Sequence, residues 1–333
     1  MPMVCALRRR FPTSHITWAV EKASAPLVAA CAAVDRVVTL PKGLLTSPAA
    51  SWQARRELLP LQIDVAIDPQ GLTKSATVGW LSGAPRRIGL AAPAGREISP
   101  WLNTELVVSR RAHMVERYLE LLAPLGVESP AVEFGLRSDP KAVATIRAWQ
   151  QRAELTTGYA VLNPGASWDS KRWPGERFAQ VAAELGRYRG LPSVIAWGSQ
   201  RERILAEEIV AASAGYALLA PPTTLLELTE LLRGSRLTVS SDTGPLHLAA
   251  AVESPCVGIF GTTRRELCAP YGDGNIAVQR VYDGNPARKR PGSDNWAVRA
   301  VTVEDVCEAC DQLLARTEST IPGRFVALPV GRN

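Results

Sequence analysis

Residues 237–252, LTVSSDTGPLHLAAAV, decide the fold. A β-branched apolar run ends in Ser240-Ser241-Asp242, a tight Thr243-Gly244 turn follows, and Pro245 opens an Ala-rich helix. A buried strand that passes at once into a helix with a small, close-packing face is part of a parallel β-α repeat. The turn sits at the strand's carboxyl end, where backbone N–H groups and the positive end of the helix dipole suit a phosphate or diphosphate. Gly244 lets an anion approach the backbone closely, and His247 falls on the first turn, where it can donate to that anion. Asp242 accepts hydrogen bonds only, so beside an anion site it suits sugar hydroxyls better than phosphate. The same residues also read as an ordinary capped helix with a satisfied histidine.

Outward from this segment the alternation repeats. Strands are expected at 159–163, 193–197, 237–241 and 256–260, with helices near 175–187, 200–213, 224–233, 245–252 and 302–316. Ahead of them lie expected strands at 16–20, 36–40, 63–67 and 86–90, and helices near 2–10, 24–33, 50–60, 72–82 and 113–123. A chain of 333 residues, at about 150 residues per domain, holds two such α/β domains. Asp139-Pro140 starts a helix and Thr156-Thr157-Gly158 breaks the chain before the next strand, so the domains are expected at 1–150 and 151–333. The run DGNPARKRPGSDN at 283–295 reads as a long surface loop. The chain opens on a helix directly after Met1, where a doubly wound domain begins with a buried strand, so that first strand is expected to be missing.

The net charge of +6 is unevenly spread. Residues 1–150 carry 18 Lys/Arg against 12 Asp/Glu, and residues 151–333 carry 20 against 20. The basic first half suits an anionic partner, whether phosphate, acidic sugar, nucleic acid or an anionic membrane surface, or is a solvated basic face. A hydrophobic content of 46% and 21% charged residues exclude a disordered or coiled-coil chain. No apolar run reaches the length of a membrane span, and the basic N-terminus lacks the apolar core of a signal peptide. Of six cysteines, Cys307 and Cys310 alone are closely spaced; they fall in an amphipathic stretch without a second pair, and read as helix residues.

Three further segments carry candidate chemistry. In 159–176, YAVLNPGASWDSKRWPGE, a strand leads into a loop with Gly165, Ser167 and Lys171, the last a cation suited to a leaving diphosphate. Trp168 and Trp173 either line a nucleotide pocket or wedge that loop, with packing the favoured reading. In 63–83 a strand ends at Asp68, Gln70-Gly71 makes the turn, and Lys74 and Ser75 fall in the first helical turn. His113 and Arg117 stand at i and i+4 on one helix face, two donors that suit an anion, although a surface pair without function is the commoner case. Dinucleotide and P-loop glycine patterns, a D-x-D pair and H-E-x-x-H are all absent, so leaving-group charge is expected to be met by helix dipole and lysine, without a metal.

The motifs NPGASWDSKRWP (163–174) and SDTGPLH (241–247) together resemble glycosyltransferase family 9, the ADP-heptose:lipopolysaccharide heptosyltransferases. DPQGLTKS (68–75) and LSGAPRRIG (81–89) are similar to the heptosyltransferase I branch. The resemblance implies a GT-B fold, two Rossmann-like doubly wound domains facing across a cleft. It implies inverting transfer of heptose from ADP-heptose to a Kdo residue of lipid A, with no metal and no other cofactor. Carried over by motif, Lys171 would meet the diphosphate and Asp242 would hold the heptose. Thr243, Gly244 and His247 would complete the anion site, and Ser167, Glu202 and Thr223 match nucleoside contacts. Arg96, His113 and Arg117, with Lys74, would meet the acidic acceptor. The family's opening strand and Ser-x-x-Gly-Asp loop, whose aspartate is the general base, has no match here. Its basic segment after the third strand is reduced to Leu40-Pro41-Lys42-Gly43. A monomer peripheral to the inner face of the cytoplasmic membrane is implied, with a lipid-borne acceptor and no nucleic acid as partner.

Overall fold

Helices alternate with parallel strands throughout the computed structural model, which describes residues 1–155, 157–285 and 292–319. Residues 286–291 of the expected surface loop and Thr156 of the expected break lie outside the described residues. The chain divides into two compact units, Met1–Val143 and Ala144 onward.

The first unit runs α1 (Pro2–Arg10), β1 (Thr17–Glu21), α2 (Ala25–Ala29), β2 (Arg36–Leu40), α3 (Pro48–Leu58), β3 (Val65–Asp68), α4 (Thr73–Leu81), β4 (Arg86–Leu90), α5 (Ser99–Leu102), β5 (Glu105–Val107) and α6 (Met114–Glu120). Its strands form two parallel sheets, β1-β2 and β3-β4-β5. Helix α4 packs on both α3 and α5, and α1 packs on α6. Helix α3 buries Ala50, Ala54 and Leu58, one turn apart, and Ala54 packs with Leu44 and with Leu81 of α4. Helix α2 is shorter than expected, because the chain leaves it to pair Cys31 in a single bridge with Leu136.

Helix α7 (Pro140–Arg152) spans the division between units, its start capped by the Asp139 carboxylate, which accepts from Ala142 N–H at 2.8 Å. There follow β6 (Ala160–Asn163), α8 (Gly175–Arg189), β7 (Ser193–Ile195), α9 (Gln200–Ala212), β8 (Ala217–Leu219), α10 (Leu225–Arg233), β9 (Leu237–Ser241), α11 (Gly244–Ala251), β10 (Cys256–Ile259), α12 (Arg265–Cys268), β11 (Asn275–Val278), α13 (Trp296–Arg299) and α14 (Val303–Ser319). The six strands form one parallel sheet in the order β8-β7-β6-β9-β10-β11. From β6 the chain builds outward to β8, then returns to the other side of β6 with β9. Such a reversal parts the loops at the strands' carboxyl ends and opens a ligand crevice there. Helices α8, α9 and α14 cover one face of the sheet and α10 and α11 the other. Strands β6, β7, β9 and β10 are therefore buried along their length, and Leu162, Ile195, Val239 and Val257 pack with Phe178, Ile209 and Leu313. Cys307 and Cys310 lie on α14 as unpaired thiols.

Candidate active site

The register Asn163 opposite Ser240 places the ends of β6 and β9 side by side at the reversal. The Asn163 side-chain amide donates to Ser240 Oγ at 2.9 Å and to Thr243 Oγ1 at 3.1 Å, tying the two loops that follow these strands. Neither loop's sequence alone announces Asn163, since its partners come from 77 and 80 residues away.

From the β6 loop, Lys171 reaches Asp242 in the β9 loop. Its Nζ lies 2.5 Å from Asp242 Oδ2 and 3.4 Å from the Asp242 carbonyl. The loop is rigid at this point because Asp169–Lys171 forms a short 3-10 turn and Trp173 anchors it. The Trp173 indole is buried edge-on to Phe178, ring centres 5.0 Å apart, and donates to Val301 O at 2.9 Å. Trp173 is thus packing, as favoured, whereas Trp168 stands exposed. His247 Nε2 lies 3.2 Å from Asp242 Oδ1, so the ring meets the carboxylate of its own helix turn. Burial pushes the Asp242 carboxyl up, but His247, Lys171 and Thr263 together outweigh it and hold it at about 2. Asp242 is thus an ionised, largely buried group with cationic or donor partners on three sides. Cys268 completes its surroundings, with Sγ 4.0 Å from Oδ2 and burial raising that thiol to about 12.

Helix α11 begins at Gly244, one residue before the expected start. Pro245 carries no N–H, and Leu246 N–H already donates to Thr243 O at 3.1 Å. The expected fan of backbone donors therefore narrows to Gly244, and most of the positive charge comes from side chains. A Cβ at Gly244 would meet nothing within 4 Å, so its face is open to a ligand.

The three nucleoside candidates also sit beyond strand ends. Ser167 is exposed in the β6 loop and Thr223 half-buried in the β8 loop. Glu202, in the first turn of α9, accepts from Gly198 N–H at 2.8 Å and lies so close to the β6 loop that a Cβ on Gly165 would stand 2.6 Å from its Oε1.

In the first unit Asp68 ends β3. Its Oδ1 accepts from Gln70 and Gly71 N–H, both at 3.1 Å, while Oδ2 is buried with no hydrogen-bond partner within 3.5 Å among the described residues, and burial raises the carboxyl against the opposing pull of Ser75, Gly71, Gln70 and Asn103. The turn so formed places Gly71, at φ +62°, where its carbonyl accepts from Arg96 N–H at 2.8 Å; a Cβ there would press on Ala94 O at 3.0 Å. Arg96 is thereby held to the β3 loop. Burial raises the Tyr118 hydroxyl above its ordinary value, against the opposing pull of Arg117 and Arg96. Lys74 is ion-paired with Glu21 at the end of β1. His113 departs from expectation: it is the N-cap of α6, its Nδ1 accepting from Val115 N–H at 3.2 Å, because the helix begins one residue later. Arg117 N–H donates to His113 O at 2.9 Å, so His113 stands one turn before Arg117 with its Nδ1 engaged in the cap. Among the described residues no cluster of His, Cys, Asp and Glu is placed to hold a metal ion, and no helix is long and apolar enough to cross a membrane.

Comparison with known proteins adds the family. The profile of glycosyltransferase family 9 (heptosyltransferase) matches residues 51–295. Lipopolysaccharide heptosyltransferase 1 of Salmonella typhimurium is 29% identical over 287 residues, 83% of this chain and 88% of that protein. A family 9 glycosyltransferase from Veillonella parvula superposes with a TM-score of 0.79 at 22% identity, covering 95% of this chain and 92% of that one. Escherichia coli heptosyltransferase WaaC, solved with ADP-2-deoxy-2-fluoro heptose, gives 0.72 at 24% identity over 93% and 94%. The fold is that of these enzymes, the GT-B class. With more than half its length matched to the profile, the chain belongs to glycosyltransferase family 9, the heptosyltransferases, and is a glycosyltransferase.

Proposed function

We propose that this chain transfers heptose from ADP-heptose, with inversion, to a Kdo residue of a lipid A-type acceptor at the inner face of the cytoplasmic membrane. The observation that carries the reading is the Lys171–Asp242–His247 cluster beside the open face of Gly244, where β6 and β9 part. The acceptor hydroxyl gives up its proton to a general base as its oxygen attacks the anomeric carbon, the bond to the diphosphate breaks on the opposite face, and negative charge grows on the departing ADP. Lys171, with the dipole of α11 behind Gly244, stabilises that charge without a metal. Asp242 accepts from heptose hydroxyls and fixes the sugar's orientation. Ser167, Glu202 and Thr223 hold the nucleoside. Arg96, Arg117, His113 and Lys74 receive the acidic acceptor, in keeping with the basic first half of the chain.

The test is mass-spectrometric detection of glycosylated product and ADP with a panel of acceptors: Kdo-lipid A, the same acceptor already bearing one heptose, and lipid A without Kdo. Product from Kdo-lipid A alone supports the reading, and product only from the heptosylated acceptor replaces it with a later step of the same chemistry. ADP binding measured by calorimetry should be the same with and without EDTA, and loss of binding in EDTA would refute the metal-free donor site.

A further inference from the structure

We propose that the outer surface of α3, α4 and α5 docks onto an anionic lipid bilayer. Three of the four tryptophans in the first unit lie on this layer and stand in solvent: Trp52 on α3 is 62% exposed, Trp80 on α4 52% and Trp101 on α5 89%. Leu45, Leu59 and Ile98, in the segments flanking these helices, are exposed with them. Helices α1 and α2 carry no exposed large apolar side chain. The asymmetry follows from packing. Helix α3 turns Ala50, Ala54 and Leu58 inward, leaving Trp52 and Arg56 on the opposite side, and α4 is held between α3 and α5.

The chemistry of the face suits lipid headgroups. Residues 41–61, 69–83 and 92–104, which build it, hold five basic residues (Lys42, Arg55, Arg56, Lys74, Arg96) against Glu57 and Glu97. The Arg56 guanidinium lies 5.4 Å from the centre of the Trp52 ring, an aromatic and cation paired on the outside of one helix. Indoles favour the membrane–water interface, and basic residues beside them are drawn to anionic headgroups. A folded protein partner requires a continuous packed patch of about 800 Å². Here basic residues outnumber acidic ones five to two among exposed indoles and aliphatic side chains, a composition that suits an anionic fluid interface. The proposal rests on the lipid-borne acceptor only for the presence of a membrane, since the surface itself is argued from its own residues.

Sedimentation with phosphatidylethanolamine/phosphatidylglycerol vesicles (70:30) free of any acceptor, compared with pure phosphatidylcholine vesicles, tests it. The chain should partition onto the anionic vesicles. The triple variant Trp52→Ser/Trp80→Ser/Trp101→Ser should lose about tenfold or more of that partitioning, and Arg55→Glu/Arg56→Glu should lose the preference for anionic lipid. Trp296→Ser, an exposed tryptophan of the second unit, should partition as the wild type does. An unchanged far-UV circular dichroism spectrum and thermal unfolding profile show that each variant is folded. Equal partitioning of wild type and triple variant, or no preference for anionic vesicles, overturns the proposal. So does a dimer that the triple variant converts to monomer without change in vesicle binding, which would make the face a contact between copies. Failure of the transfer reading appears separately, as absent product in the acceptor assay.

Discussion

Replacing Asp242 by asparagine should separate two duties of one carboxylate. In the resting site Lys171 Nζ lies 2.5 Å from Asp242 Oδ2, so the pair is close to neutral. A diphosphate oxygen bonded to the same ammonium at about 2.8 Å stands about 5 Å from the carboxylate. Like charges at that separation repel by about 1 kcal/mol in a water-like medium and about 3 kcal/mol at an effective dielectric of 20. Taking the lower figure for a site that is open at Gly244, Asp242→Asn should tighten ADP binding roughly fivefold at 0.1 M salt. Lys171→Met removes a charge-assisted hydrogen bond and should weaken it by about 1.5–3 kcal/mol, at least tenfold. Turnover should fall in both variants, by about 100-fold or more for Lys171→Met, because that charge is needed most as ADP departs. Calorimetry with ADP and steady-state transfer rates provide the two readouts. If Asp242→Asn weakens ADP binding as much as Lys171→Met does, the carboxylate acts by holding the lysine in place and the repulsion argument is wrong.

Gly244→Ala adds a methyl into open space, so thermal stability should be unchanged while ADP affinity drops about tenfold; equal affinity would show that no ligand approaches that face. Asp242 also ties stability to pH: its folded value of about 2 lies below the ordinary 3.8, so the stabilisation is complete above about pH 4 and is lost as pH falls through 2. It is worth about 2 kcal/mol at neutral pH, and urea unfolding from pH 6 to 2.5 should show a stability decline that Asp242→Asn lacks. Asp68→Ala removes the acceptor for Gln70 and Gly71 N–H and loosens the turn that holds Arg96, so the acceptor KM should rise about tenfold with ADP affinity unchanged; an altered ADP affinity would place Asp68 elsewhere in the reaction.

Every buried strand was legible, and the strands that were missed are all edges. The central strands β6, β9 and β10 are covered on both faces, so they read as continuous apolar runs, and each expected strand overlaps the observed one. The three that sequence missed, β5, β8 and β11, are all sheet edges, half-exposed and only three or four residues long, with too little pattern to stand out. The site divides in the same way. Lys171, Asp242 and His247 come from local motifs, and their mutual contacts were not foreseen, while Asn163 and Thr263 meet partners remote in the chain. His113 was misplaced for a local reason: a one-residue change in where a helix begins turns a surface donor into a cap.

The balance of charge in the second half bears on selectivity. That half has as many acidic as basic residues, so no broad positive field draws anions to the donor site. Its lysine is already paired, and the histidine beside it meets the same carboxylate. A lone phosphate entering this cluster gains Lys171 but faces Asp242, which offsets part of that gain. A sugar nucleotide brings hydroxyl donors that engage Asp242 at the same moment as its diphosphate engages Lys171. On the proposed reading the carboxylate that opposes bare phosphates would become a binding group for the complete donor, and specificity would arise because both halves of the pair must be satisfied together.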